Sequence, residues 1–197
     1  MAVTDPLAQV SDYAAVFPGA HNDDVELLRQ LTAVSRYIEF QCGQCFTKDA
    51  AAVARVFMGD GTNQLWLDEN LAVSPTSVKF DSSQDGTYAT TVTTFELWPY
   101  NAARGPEVKP WRRIDLPSWG SYTSFPAGQR VQVTAQWGWA TVPEAVRQAT
   151  VQLTAILRLE SPRATSSIDE LGRVVGMSPL GRGIIDELLA TYPRMPI

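Results

Sequence analysis

Cys42-Gly-Gln-Cys45 is the pair of side chains whose spacing comes nearest to a reactive motif. Two thiols so spaced suit a redox couple, which wants its first Cys at a helix start, where the N-terminal dipole lowers the thiol pKa. Here the pair follows a predicted helix and no Trp precedes it. A zinc site needs four ligands, and the chain has no second Cys pair and one distant His, His21. The thiols are read as buried or half-buried structural residues, kept reduced in a cytoplasmic setting.

The rest of the inventory is equally poor in chemistry. With a single His, no Ser-His-Asp triad can be assembled and a His-rich metal site is excluded. Asp23-Asp24, Asp60, Asp68-Glu69 and Asp115 do not fall in a calcium-loop pattern, and capping or turn roles account for Asp23, Asp24 and Asp60. Gly59-Asp-Gly61 and Gly181-Arg-Gly183 lack the Lys-Ser/Thr that follows a phosphate-binding loop. The reading is of a protein that is not an enzyme, with no catalytic, cofactor or metal residues.

The tryptophans are the remaining feature: Trp66, Trp98, Trp111, Trp119, Trp137 and Trp139. They can stack on sugars or bases, but base stacking normally comes with interleaved cations, and only Lys109, Arg112 and Arg113 qualify. Core packing or subunit contact is the better reading, since Trp, Tyr and Arg are frequent interface anchors. Trp98, Trp111, Arg112, Arg113, Trp119, Trp137 and Trp139 are the subunit-interface candidates. Arg173, Arg182 and Arg194, with Arg112 and Arg113, are solvated charges or ion-pair partners for an acidic neighbour.

Composition bounds what these residues sit on. The chain has 197 residues, 45% hydrophobic and 19% charged, which suits a packed core and excludes global disorder. No long apolar run marks a membrane span, and no secretory signal is visible at the N-terminus, so synthesis in the cytoplasm is expected. The net charge of −5 argues against gripping nucleic acid through its phosphates. It suits a wall along which DNA slides without sticking.

The elements follow from periodicity. Residues 1–22 read as an extended arm containing Pro6, Pro18 and Gly19. Apolar residues at three- and four-residue spacing predict a helix over residues 23–41, capped by Asn22-Asp23-Asp24 and stopped by Gly43. Val53–Met58 and Asn63–Leu67 flank an Asp-Gly and read as a hairpin. Ser77–Asp81, Tyr88–Leu97 and Gly128–Trp137 are further strands, the last alternating Val131, Val133 and Ala135 on one face. Pro143 opens a helix to about residue 160, striped by Val146, Ala149, Thr150, Leu153, Ile156, Leu157 and Leu159. Ser161–Ser167 breaks it, 168–179 is mixed and polar, and Gly183–Thr191 is a short last helix. The expected fold is α+β. A small helical bundle carries an antiparallel β-barrel or sandwich insertion between its first two long helices. The expected layout is an arm over 1–22, one domain over 23–193 (helix 23–46, β-rich 53–138, helices 143–192) and a tail over 194–197.

Four passages resemble the head-to-tail connector (adaptor) family of long-tailed double-stranded DNA phages, in its actinobacterial-phage branch. Val131–Pro143 running into Glu144–Glu160 is similar to the family's passage from a strand through a Gly-aromatic turn and Val-Pro into an acidic-headed helix. Glu26–Phe46 is similar to its first helix, and Glu96–Asn101 with Trp111–Ile114 resembles a strand pair of that branch. Ser178-Pro-Leu180 with Ile184–Pro193 fits its C-terminal helix. The resemblance implies a structural virion protein of the neck, without reaction or cofactor. It implies a ring, usually of twelve copies, docked under a portal, extending the DNA channel to head-completion (stopper) and tail proteins. Double-stranded DNA passes through such a lumen without sequence-specific binding, and no membrane is involved. It also implies portal contact through Leu180, Arg182, Ile184, Ile185, Leu188, Tyr192, Arg194 and Ile197. Two end arms, residues 1–21 and 180–197, are expected to order only on assembly. A tryptophan-rich carbohydrate- or receptor-binding module and a stopper or tail-completion protein are the competing readings.

Overall fold

The computed structural model describes residues 5–19, 23–102, 104, 107–160, 167–168, 174–176 and 178–193. The class is α+β, with, among the described residues, four helices and two antiparallel sheets of seven strands in all, besides a two-residue ladder of β8 (Ser167–Ile168) with β9 (Val174–Val175). Two compact units divide the chain. Of the described residues, the helical unit combines 5–46 with 142–193, and the β-rich unit holds 47–141.

The helical unit is built on α2 (Asp24–Cys42). Its start is capped by the Asp23 carboxylate, which accepts from the Val25 and Glu26 N–H groups. Its end is turned by Gly43, in the left-handed conformation at φ 61°. Leu27, Leu31, Val34 and Ile38 recur on one face and are fully buried. α3 (Glu144–Glu160) begins where the Pro143 carbonyl accepts from Arg147 N–H at 3.0 Å. Its predicted stripe is buried at Val146, Ala149, Thr150, Leu153 and Leu157. Leu159 departs from it and is exposed, while Val151, Thr154 and Ala155 widen the buried face. α4 (Pro179–Thr191) begins four residues before the predicted start, because Ser178 caps it and Pro179 suits the first turn.

Residues 5–19 are not the extended arm that the prolines predict. They carry α1 (Val10–Val16), whose Gln9 and Asp12 form a reciprocal cap. Leu7, Ala8 and Tyr13 are buried, and Leu7 N–H donates to the buried Ser35 hydroxyl at 2.9 Å. The two segments expected to order only on assembly thus contain α1 and α4, each with side chains buried in the single chain.

The β unit is a two-sheet sandwich, and neither sheet closes into a barrel. One sheet runs in the order β1 (Val53–Met58), β7 (Arg130–Ala135), β3 (Ser77–Phe80), β4 (Thr90–Val92). The other runs β2 (Gln64–Leu71), β6 (Trp111–Asp115), β5 (Glu96–Trp98). Both inner faces feed one core: Val78, Phe80, Val92, Val131, Val133 and Ala135 from the first, Leu65, Leu67, Leu71 and Ile114 from the second. Alternation along β7 is as the sequence predicts, with Val131, Val133 and Ala135 inward.

Two strand expectations change. The Asp-Gly at 60–61 joins no hairpin, since β1 pairs with β7 over six residues and β2 lies in the other sheet. Gly59 instead exchanges backbone hydrogen bonds with Gln129 and Gly128, and Gly61 N–H donates to Phe125 at 2.8 Å. A Cβ on Gly59 would stand 2.4 Å from the Pro126 carbonyl oxygen, so this crossing needs glycine. Residues 88–97, predicted as one strand, divide into β4 and β5, which serve different sheets. The Glu96–Trp98 and Trp111–Asp115 strands do pair, with Trp98 opposite Arg113.

Candidate assembly surfaces

The second sheet places its aromatic and charged side chains in cross-strand rungs. Leu65, Ile114 and Leu97 form an inward rung. The rungs on either side face outward: Trp66–Arg113–Trp98, and Gln64–Asp115–Glu96. The two indoles meet edge to face at 5.9 Å. The Arg113 guanidinium lies over both, 5.0 Å from the Trp66 ring centroid and 4.8 Å from that of Trp98. Arg113 also donates twice to Asp115, at 2.6 and 2.8 Å, and Tyr100 hydroxyl reaches the same carboxylate at 3.3 Å.

Arg113 and Asp115 are almost fully enclosed, so their charges cancel locally and hold the indoles in place. Trp66 is 56% exposed and Tyr100 is exposed beside it. This patch is rigid, aromatic, locally neutral and open, the composition of an interface anchor. Next along β6, the half-buried Arg112 donates to the Asn70 side chain at 3.1 Å. Burial pushes its guanidinium below the ordinary arginine value.

The predicted interface residues therefore divide. Trp119 is 74% exposed on the loop after β6, and Trp98, Trp111, Arg112 and Arg113 are partly enclosed. Trp137 and Trp139 are corrections, for both are buried in the chain itself. Trp137 donates its indole N–H to the Val53 carbonyl at 2.9 Å, packs 5.7 Å from the Phe57 ring and carries the Arg55 guanidinium at 4.7 Å. That Arg55 pairs with Asp49 and with Glu69 of β2, which ties the two sheets together. Trp66, 56% exposed, is a further candidate beyond the predicted interface set. Its signal was available, since Leu65 and Leu67 point inward and alternation turns Trp66 out.

The α4 candidates divide in the same way. Leu180 is 69% exposed, Arg182 is exposed and Ile184 is half-buried. Ile185, Leu188 and Tyr192 are buried, with Tyr192 edge-on to Phe46 at 5.5 Å and its carbonyl accepting from Gln44. These three hold α4 in the helical unit and have no surface to offer a partner. Arg173, Arg194, Ile197 and His21 lie outside the described residues. Cys42 is buried and Cys45 partly so. Cys45 donates to Glu39 at 3.5 Å, and the same carboxylate oxygen accepts Phe46 N–H. Glu39 thus holds Cys45 and Phe46 together just after α2.

No protein-family model matches the chain, and no curated protein does. Solved structures do. A chain in the neck of an empty gene transfer agent particle, computed with C6 symmetry, superposes at TM-score 0.59 and 17% identity. The match covers 100% of this chain and 94% of that one. A chain in the neck of the native particle, computed with C12 symmetry, gives TM-score 0.56 at 16% identity with the same coverage. A third, in the virion of the native particle, gives 0.55 at 16% identity over 95% of this chain and 89% of that one. The fold, α1 to α4 with the β sandwich inserted, is one that these particle chains share.

Proposed function

We propose that this protein is a structural neck subunit of a phage-like particle, an adaptor that forms a homo-oligomeric ring between portal and tail. The observation that carries the reading is the fold likeness to a neck chain over the whole of this chain and nearly all of the other. The symmetry of those particles supports a ring, and twelve copies is the stoichiometry proposed. A closed ring needs two different side surfaces that meet head to tail. Weak contacts repeated around it sum to a stable joint.

In this reading the Trp66–Arg113–Trp98 patch with Tyr100 and Trp119 contacts a neighbouring neck subunit. Arg112, with a neutral partner in its own chain, meets a carboxylate of the partner. Leu180, Arg182 and Ile184 form the portal-facing ridge of α4, and Arg194 and Ile197 are further portal-contact candidates. DNA passes the lumen without specific contact, consistent with the net charge of −5. Head-completion and tail proteins dock on the opposite rim.

Cryo-electron microscopy of the neck of the parent particle tests this. A closed ring of this chain between portal and tail, with Leu180 against the portal, is the expected outcome. A neck traced without this chain overturns the reading and returns the exposed Trp66 surface to ligand binding.

A further inference from the structure

The edge strand β1 carries an unused surface that the aromatic patch does not explain. β1 pairs with β7 along one side for all six residues, and the sheet ends there. Its inward residues, Arg55 and Phe57, are committed to the sandwich through Glu69 and Trp137. Its outward residues are Ala54, Val56 and Met58, all exposed, Val56 at 51% and Met58 at 61%.

The outward rung through Val56 continues across the sheet as Gln132, Lys79 and Thr91. The next, through Ala54, continues as Thr134 and Ser77. The face is polar in its interior and apolar only at its rim, the reverse of an edge kept apart from other chains. Natural edge strands are blunted by outward charge, proline, bulges or brevity. Among Val53–Met58 there is no proline, no register shift, and the one charge points inward.

We infer that the open edge of β1 is a subunit contact, covered in the assembled particle by an extended segment of a second copy of this chain. The inference rests on the ring reading above. The first sheet ends at β1 on one side and β4 on the other, two unlike lateral edges of one layer. A head-to-tail ring uses two unlike sides of each subunit, and strand addition at such an edge supplies main-chain hydrogen bonds with apolar side chains alongside. A second copy is thus the occupant that the geometry and the ring symmetry together favour.

The test is made in the parent particle, with a photo-crosslinking amino acid at Val56 and a reference cryo-electron microscopy map of the unmodified neck. A cross-linked product of twice the chain mass, joining two copies, is expected. The double variant Val56→Lys/Met58→Lys is expected to lose at least tenfold in incorporation at an unchanged melting temperature. If the map shows a ring of this chain but Val56 cross-links to another virion protein, or to none, the edge inference falls and the ring reading stands. If the map shows no ring of this chain, both fall.

Discussion

Gly138 sits where a single methyl group has no room. Its φ is +99°, and a Cβ there would stand 1.8 Å from the Thr47 carbonyl oxygen, a backbone atom that cannot swing aside. Gly138 N–H also donates to the Asn70 carbonyl at 2.8 Å, which fixes the turn between Trp137 and Trp139. Gly138→Ala is therefore expected to cost at least about 2 kcal/mol in urea unfolding, from strain and displaced backbone together. The Arg113–Asp115 pair makes a second residue-level case. Removing one member leaves the other charge enclosed, so Arg113→Leu is expected to destabilise by about 3 kcal/mol. Arg113→Leu/Asp115→Leu should recover most of that loss, which a double-mutant cycle measures. By contrast Trp66→Ala, at an exposed position, should leave the melting temperature nearly unchanged while weakening assembly about tenfold or more.

At the scale of elements, the portal contact proposed for α4 falls on positions other than those that bury the helix. Leu188→Ala is expected to cost about 2–5 kcal/mol because the side chain is buried. Leu180→Ser should stay within about 0.5 kcal/mol of the parent and reduce portal binding instead. The helix starts also set an acid limit. Hydrogen bonds from Arg29 and Arg147 hold Glu26 and Glu144 below the ordinary carboxylate value of about 4.5. A folded pKa below the unfolded one stabilises fully above the unfolded value and is lost as pH falls through the folded one. The melting temperature should therefore decline below about pH 4.5, and Glu144→Gln should flatten part of that decline. What was legible in the sequence followed periodicity: α2 with its Asp23 cap and Gly43 stop, β1 to the residue, and the inward face of β7. What was not legible depended on partners distant in sequence. The Asp-Gly at 60–61 makes a local turn, with Thr62 N–H and hydroxyl both bonded to Asp60, yet the ladder to β7 decides where β1 goes. α1 is seven residues long with a Gln cap, too short a pattern to read before its burial is known. The same limit applies to the tryptophans, for spacing cannot tell the enclosed Trp137 from the open Trp66.

For the whole molecule, the chain enters and leaves the β unit at one place. Asp49 N–H donates to the Trp137 carbonyl at 2.9 Å, and Gln136 bonds the Asp49 and Ala50 carbonyls from across the gap. Between these points the unit closes its own core from both sheets and Trp137, and its sheets are paired internally. An insertion with adjoining ends and a self-contained core has what independent folding requires. Residues 47–141 expressed alone are thus expected to fold, with a single cooperative urea transition seen alike by tryptophan fluorescence and far-ultraviolet circular dichroism. Arg55 is the sensitive reporter, because it joins β1 to Asp49 and to Glu69 of the other sheet while lying over Trp137. Arg55→Ala should lower the midpoint in the isolated segment and in the full chain by the same amount. A fragment that stays unfolded, or an Arg55 effect seen only in the full chain, would show that the β unit depends on residues outside 47–141. Equal shifts would instead identify the sandwich as a separable module, free to vary its outer rungs for a neighbouring subunit without disturbing the helices that carry it.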